Sequence, residues 1–140
     1  MPKLDKQDQR IATIFGTEDV PDVITTTLER YRDYLQQHLE LSCQLTGIED
    51  FAWEEYYVIG PGSKAEHERL RKTRPSYMDT YDLLSFDDDV DPDVGIVVHV
   101  SRVSDKKRFH LPLADLEVTK KKSKNYQLLD DYVVWFVNWR

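Results

Sequence analysis

Apolar residues change their spacing partway along this chain, and that change limits what it can fold into. Val20, Ile24, Leu28, Tyr31, Leu35 and Leu39 recur at steps of four, four, three, four and four, the repeat of a helix with one buried face. Asp19 stands in a capping position and Pro21 just inside the expected start, so the pattern predicts a helix over about residues 20–39. Beyond it the period shortens to two. Ser42–Thr46 and Trp53–Ile59 read as short strands separated by Gly47–Asp50. Gly60-Pro61-Gly62 breaks the chain, and Ser63 followed by Glu66 has the form of a capping box opening a short charged helix to about Lys72. Leu83–Phe86, Gly95–Val103 and Lys107–Leu113 read as three further strands, the last two joined as a hairpin through Ser104-Asp105-Lys106. Leu128, Leu129, Tyr132, Val133, Phe136 and Trp139 form a closing helical stripe, although the β-branched Val133, Val134 and Val137 also suit a strand.

Five short strands with a helix before and after them predict an α+β domain, a small curled antiparallel sheet or barrel covered by helices. Strands and helices do not alternate, which removes the parallel nucleotide-binding folds. Ile11, Ile14 and Phe15 sit among many charges, so residues 1–18 are expected as a frayed helix or tail, leaving residues 19–140 as the single domain. At 140 residues, 40% apolar and 11% aromatic, the chain suits one core and is too apolar for global disorder. Its longest apolar runs fall well short of the roughly 18–20 residues that cross a bilayer. Met1–Phe15 lacks the hydrophobic stretch of a secretory signal, so the expected location is cytoplasmic, with no membrane partner. Cys43, the one cysteine, has no partner for an internal disulfide.

The net charge of -7 is unevenly placed. Pro75–Ser101 holds Asp79, Asp82, Asp87, Asp88, Asp89, Asp91 and Asp93 and no Lys or Arg. The following stretch reverses sign, with Arg102, Lys106, Lys107, Arg108, Lys120, Lys121, Lys122 and Lys124. A pI near 5.0 excludes the broad basic surface that nucleic-acid binding needs, and the Lys120–Lys124 run reads as a solvated loop.

The acidic run Asp87–Asp93 is hard-oxygen chemistry. Calcium takes six to eight oxygen ligands, which a Pro- and Gly-broken loop can gather by curling. A straight strand cannot, because like-facing residues lie about 6.6 Å apart along it. The EF-hand pattern fails in both registers: starting at Asp87 puts Pro92 at the glycine position and Val98 at the twelfth, and starting at Asp89 puts Val94 and Val100 there. What remains is electrostatic. Carboxylates about 6 Å apart in water repel by roughly 0.7 kcal/mol per pair, which a divalent ion would relieve. Asp130-Asp131 is expected at the start of the last helix, favouring its positive end. Gly60–Lys64 lacks the phosphate-loop pattern, and Pro61 removes a donor. Cys43 reads as a small buried residue rather than a nucleophile. His38, His67, His99 and His110 show no H-x-x-x-H pair, so spacing indicates no zinc site. Trp53, Tyr56, Tyr57, Trp135, Phe136 and Trp139 suit either a core or a peptide groove.

In its pattern the chain resembles the CcbP-type calcium-binding family of small acidic bacterial proteins. The resemblance runs over about residues 30–140. It is carried by Tyr34–Leu39 with Leu41–Gly47, by Gly95–Val100, by Phe109–Glu117 and by Asp131–Phe136. It implies a compact SH3-like β-barrel with flanking helices and calcium held by clustered surface carboxylates, without enzyme activity. No individual ligand transfers from the family. Two functions stand as expectations. One is a non-enzymatic calcium-binding protein using Asp82, Asp87, Asp88, Asp89, Asp91 and Asp93. The other is an SH3-like module for a protein partner, in which the acidic run gives solubility or steers a basic partner.

Overall fold

A computed structural model describes residues 4–140. The chain is α+β. Its helices are α1 (Lys6–Phe15), α2 (Thr25–His38), α3 (Glu55–Val58), α4 (Lys64–Leu70) and α5 (Lys124–Asn138). Its strands are β1 (Gln44–Gly47), β2 (Thr80–Asp91), β3 (Gly95–Arg102), β4 (Arg108–Pro112) and β5 (Leu116–Val118). The strands form one antiparallel sheet in the order β4-β3-β2-β1-β5. Of the two forms expected, the open sheet is the one present: β4 and β5 are its edges and do not pair with each other.

One face of the sheet is apolar, and the long helices supply its cover. Leu45, Tyr81, Leu83, Ile96, Val98, Val100, Leu111, Leu116 and Val118 share a single cluster with Leu28, Tyr31 and Leu35 of α2 and Leu129, Tyr132, Trp135 and Phe136 of α5. Alternation then turns Val97, His99 and Ser101 of β3 to the opposite face. The β2–β3 hairpin closes through Pro92-Asp93-Val94. Asp91 Oδ1 accepts from the Asp93 amide at 2.8 Å, and Gly95 follows at φ +86°. A side chain at Gly95 is excluded twice over, by that φ and by Tyr132 Oη, which lies 2.5 Å from where a Cβ would stand and accepts from the Ile96 amide.

Several elements differ from their sequence patterns. Helix α2 begins at Thr25, not near Val20, with Thr27 Oγ1 accepting from the Ile24 amide. The segment before it runs extended along α5, where the Val23 amide donates to Trp139 O and Trp135 Nε1 to Pro21 O, both at 2.8 Å. The aromatic run Trp53–Ile59 is not a strand. Ala52–Glu54 is a 3₁₀ turn that leads into α3, and the buried Glu54 carboxylate accepts from His67 Nε2, Ser76 Oγ and the Tyr77 amide at 2.7–2.8 Å. A strand would point Glu54 away from these three donors. The Ser63 cap does open α4, accepting from the Glu66 amide. Residues Lys6–Phe15, expected to fray, form a helix capped by Asp5 whose Ile11 and Phe15 are buried in the core. Helix α5 starts at Lys124 under a Ser123 cap, so Asp130 and Asp131 lie within the helix rather than at its positive end.

At the far end of β3, Arg102 is 3% exposed and every donor nitrogen finds an acceptor: Asp105, Asp79 and the carbonyls of Arg71, Lys72 and Arg74. This guanidinium fastens the α4 segment to the sheet.

Candidate metal centre

The acidic run lies in β2 rather than in a bent loop. Phe86 pairs with Val98 and Val90 with Ile96, so Asp87, Asp88 and Asp89 together oppose the single residue Val97. A second irregularity sits between Leu83 and Ser85. Aspartates are poor strand formers, and Asp87–Asp89 fall in the irregularity, outside the paired register with β3, while their carboxylates reach water, so the strand buries no charge. The irregularity is what re-aims Asp87 onto the polar face.

The expected ligands are accordingly spread out. Asp82, half-buried, faces Ser101 and accepts from Gln44 Nε2 at 3.3 Å. Asp88 and Asp89 are exposed, and the Asp88 carbonyl accepts from Arg32 of α2. Asp91 ends the strand, and Asp93 sits in the turn with Arg140 Nη1 3.4 Å from its carbonyl. Their partners Ser101 and Gly95 lie six residues apart on β3, which places Asp82 and Asp91 roughly 20 Å apart, so the six carboxylates do not converge on one ion. Among the described residues none of Asp82, Asp88, Asp89, Asp91 and Asp93 forms an ion pair with Lys or Arg. Asp79, by contrast, is held by Arg71 and Arg102.

Only Asp87 enters a cluster. Its Oδ1 lies 3.1 Å from His99 Nε2. His99 of β3 is paired directly opposite His110 of β4, and the two rings stack with centroids 3.8 Å apart and planes at 30°. One carboxylate oxygen and one nitrogen from each ring lie within 4.8 Å of one another. Asp87 and His99 are half-buried and His110 is exposed. Neighbouring strands thus offer three ligand atoms from backbones that the sheet holds in place.

Sequence spacing missed this group because the histidines stand eleven positions apart, far outside any local ligand motif. The signal was in the hairpin. Arg102 N donates to Lys107 O at 2.8 Å across the turn, and three residues back on each side His99 comes opposite His110. Of the other candidates, Cys43 is buried and Lys120–Lys122 are exposed, as their patterns predict. No family model, curated protein or solved structure matches the chain.

Proposed function

We propose that this protein binds a divalent cation, without catalysing a reaction, on the polar face of β2, β3 and β4. The observation that carries the reading is the convergence of Asp87, His99 and His110 to within 4.8 Å. Two further features support it. The surrounding strand and turn hold Asp88, Asp89, Asp91 and Asp93, a local excess of negative charge that raises cation concentration near the site. The ligands also project from paired strands, so little ordering entropy is lost on binding. The resemblance to the CcbP-type family agrees with a buffering or sensing role for a divalent ion.

Stoichiometric titration of the untagged chain with calcium, magnesium, manganese and zinc at about 0.15 M salt tests the reading. One of these ions should bind at one equivalent and raise the melting temperature. No heat and no thermal shift with any of them at millimolar concentration overturns it.

A protein-interaction module is the second reading. It is favoured by an apolar cleft of about 280 Å³ between α2 and β2, lined by Leu39, Leu41, Leu83, Leu84 and Phe86.

A further inference from the structure

We infer that the ion held at Asp87, His99 and His110 is of the zinc class and that at least one of its coordination positions stays open to solvent, calcium being excluded from this site. The inference rests on the divalent-cation reading above and names the ion. Two of the three donors are imidazole nitrogens. Calcium and magnesium take oxygen, whereas imidazole with one carboxylate suits zinc, copper, nickel and iron. The face supplies one carboxylate oxygen to the cluster, against the six to eight oxygens calcium takes.

Distances agree with the smaller ion. Donors bound at about 2.0–2.2 Å in a tetrahedron stand about 3.3–3.5 Å apart. Asp87 Oδ1 and His99 Nε2 are 3.1 Å apart, joined by a hydrogen bond whose proton a metal would replace. The third donor lies within 4.8 Å, and the exposed His110 ring closes that gap by turning about its own side-chain bonds. Directly paired residues on one face of a sheet hold their Cβ atoms about 4.5–5.5 Å apart, a spacing at which two imidazoles can bite one ion.

Three ligands on an open face leave room for water or a small exogenous donor, the arrangement of a site that is not closed structurally. Among the described residues neither histidine ring makes a further hydrogen bond that would orient it. That omission is worth about 10–100-fold in metal affinity, so binding is weaker than at closed structural zinc sites.

The test uses the untagged full chain with zinc, with cobalt as a spectroscopic substitute, and with calcium. Cobalt should give the visible absorption of a low-coordinate nitrogen and oxygen site and be displaced by zinc but not by millimolar calcium. His110→Ala, at an exposed position, and Asp87→Asn should each weaken zinc by at least about 10-fold. Asp89→Asn, which removes a nearby charge but no ligand, should weaken zinc far less than either. Circular dichroism of each variant in the absence of metal confirms folding. Zinc binding that is undiminished in both His110→Ala and Asp87→Asn overturns the inference. Calcium binding that Asp87→Asn weakens, with no zinc binding, also overturns it while leaving the divalent-cation reading standing. No binding of any ion removes both.

Discussion

Arg10 and Asp131 join the two ends of the chain: guanidinium Nε and Nη2 donate to the two carboxylate oxygens at 3.0 and 2.9 Å. The Asp131 side chain is 5% exposed and Arg10 42%, so the carboxylate depends on this partner far more than the guanidinium does. Gln7 Nε2 adds a third bond at 2.9 Å. Arg10→Ala should therefore destabilise the fold by about 1–3 kcal/mol, the cost of an under-satisfied buried acceptor. Urea unfolding reads it as a lower midpoint at unchanged slope. Removal of residues 1–16 should cost more, because Ile11 and Phe15 leave the core with it.

Glu54 is fully buried and takes three donors from residues 67, 76 and 77. Replacing it with Ala leaves His67, Ser76 and the Tyr77 amide without their acceptor. The expected loss is about 3–5 kcal/mol, as for one partner stripped from a buried pair. Glu54→Gln keeps the shape and one acceptor oxygen and should lose less. Equal melting temperatures for wild type and Glu54→Ala would contradict the bracket assigned to this side chain.

The hydrogen bond from Arg102 lowers the Asp105 carboxyl from an ordinary 3.8 to about 2, against an opposing desolvation, with the Lys107 amide and the charges of Arg102 and Lys107 adding to the shift. The folded state thus releases this proton more readily than the unfolded chain. Its contribution to stability is complete above the ordinary carboxylate range and disappears as pH falls through about 2. Asp105→Asn should be less stable than wild type at pH 6, and the two should draw together on acidification towards pH 2. Parallel melting curves across that range would show that the pair does not contribute.

Burial raises the Cys43 thiol above its ordinary range, and the hydrogen bond with Asn125 offsets this only in part. The thiolate is the reactive form, so iodoacetamide near neutral pH should label the folded chain slowly and the urea-unfolded chain at the rate of a free thiol. Mass spectrometry against time separates the two. Rapid labelling of the folded chain would mean that the wall around Cys43 opens readily.

Much of the framework was legible because it depends on residues close in sequence. The three- and four-step stripes marked the bodies of α2 and α5, Ser63 with Glu66 marked α4, and the polar turn at residues 104–106 marked the β3–β4 hairpin. Misreadings arose where a distant partner decided. Trp53–Ile59 carries strand-forming side chains, but Glu54 has to reach Ser76 and Tyr77 and the Trp53 indole Nε1 donates to Pro75 O. Asp87–Asp91 looks like a loop by composition, yet it is held within a strand because Phe86 on one side and Val90 and Asp91 on the other pair with β3.

Charge segregation, the amphipathic stripes and the hairpin register follow from the order of residues alone, since each rests on local periodicity or on counting outward from a turn. The ligand set does not. Whether seven aspartates make a metal site depends on which carboxylate a bulge turns toward the neighbouring strands, and that is settled only when β2, β3 and β4 pair. Pairing brings Asp87 beside two histidines, because cross-strand neighbours are set by hydrogen-bond register and not by distance along the chain.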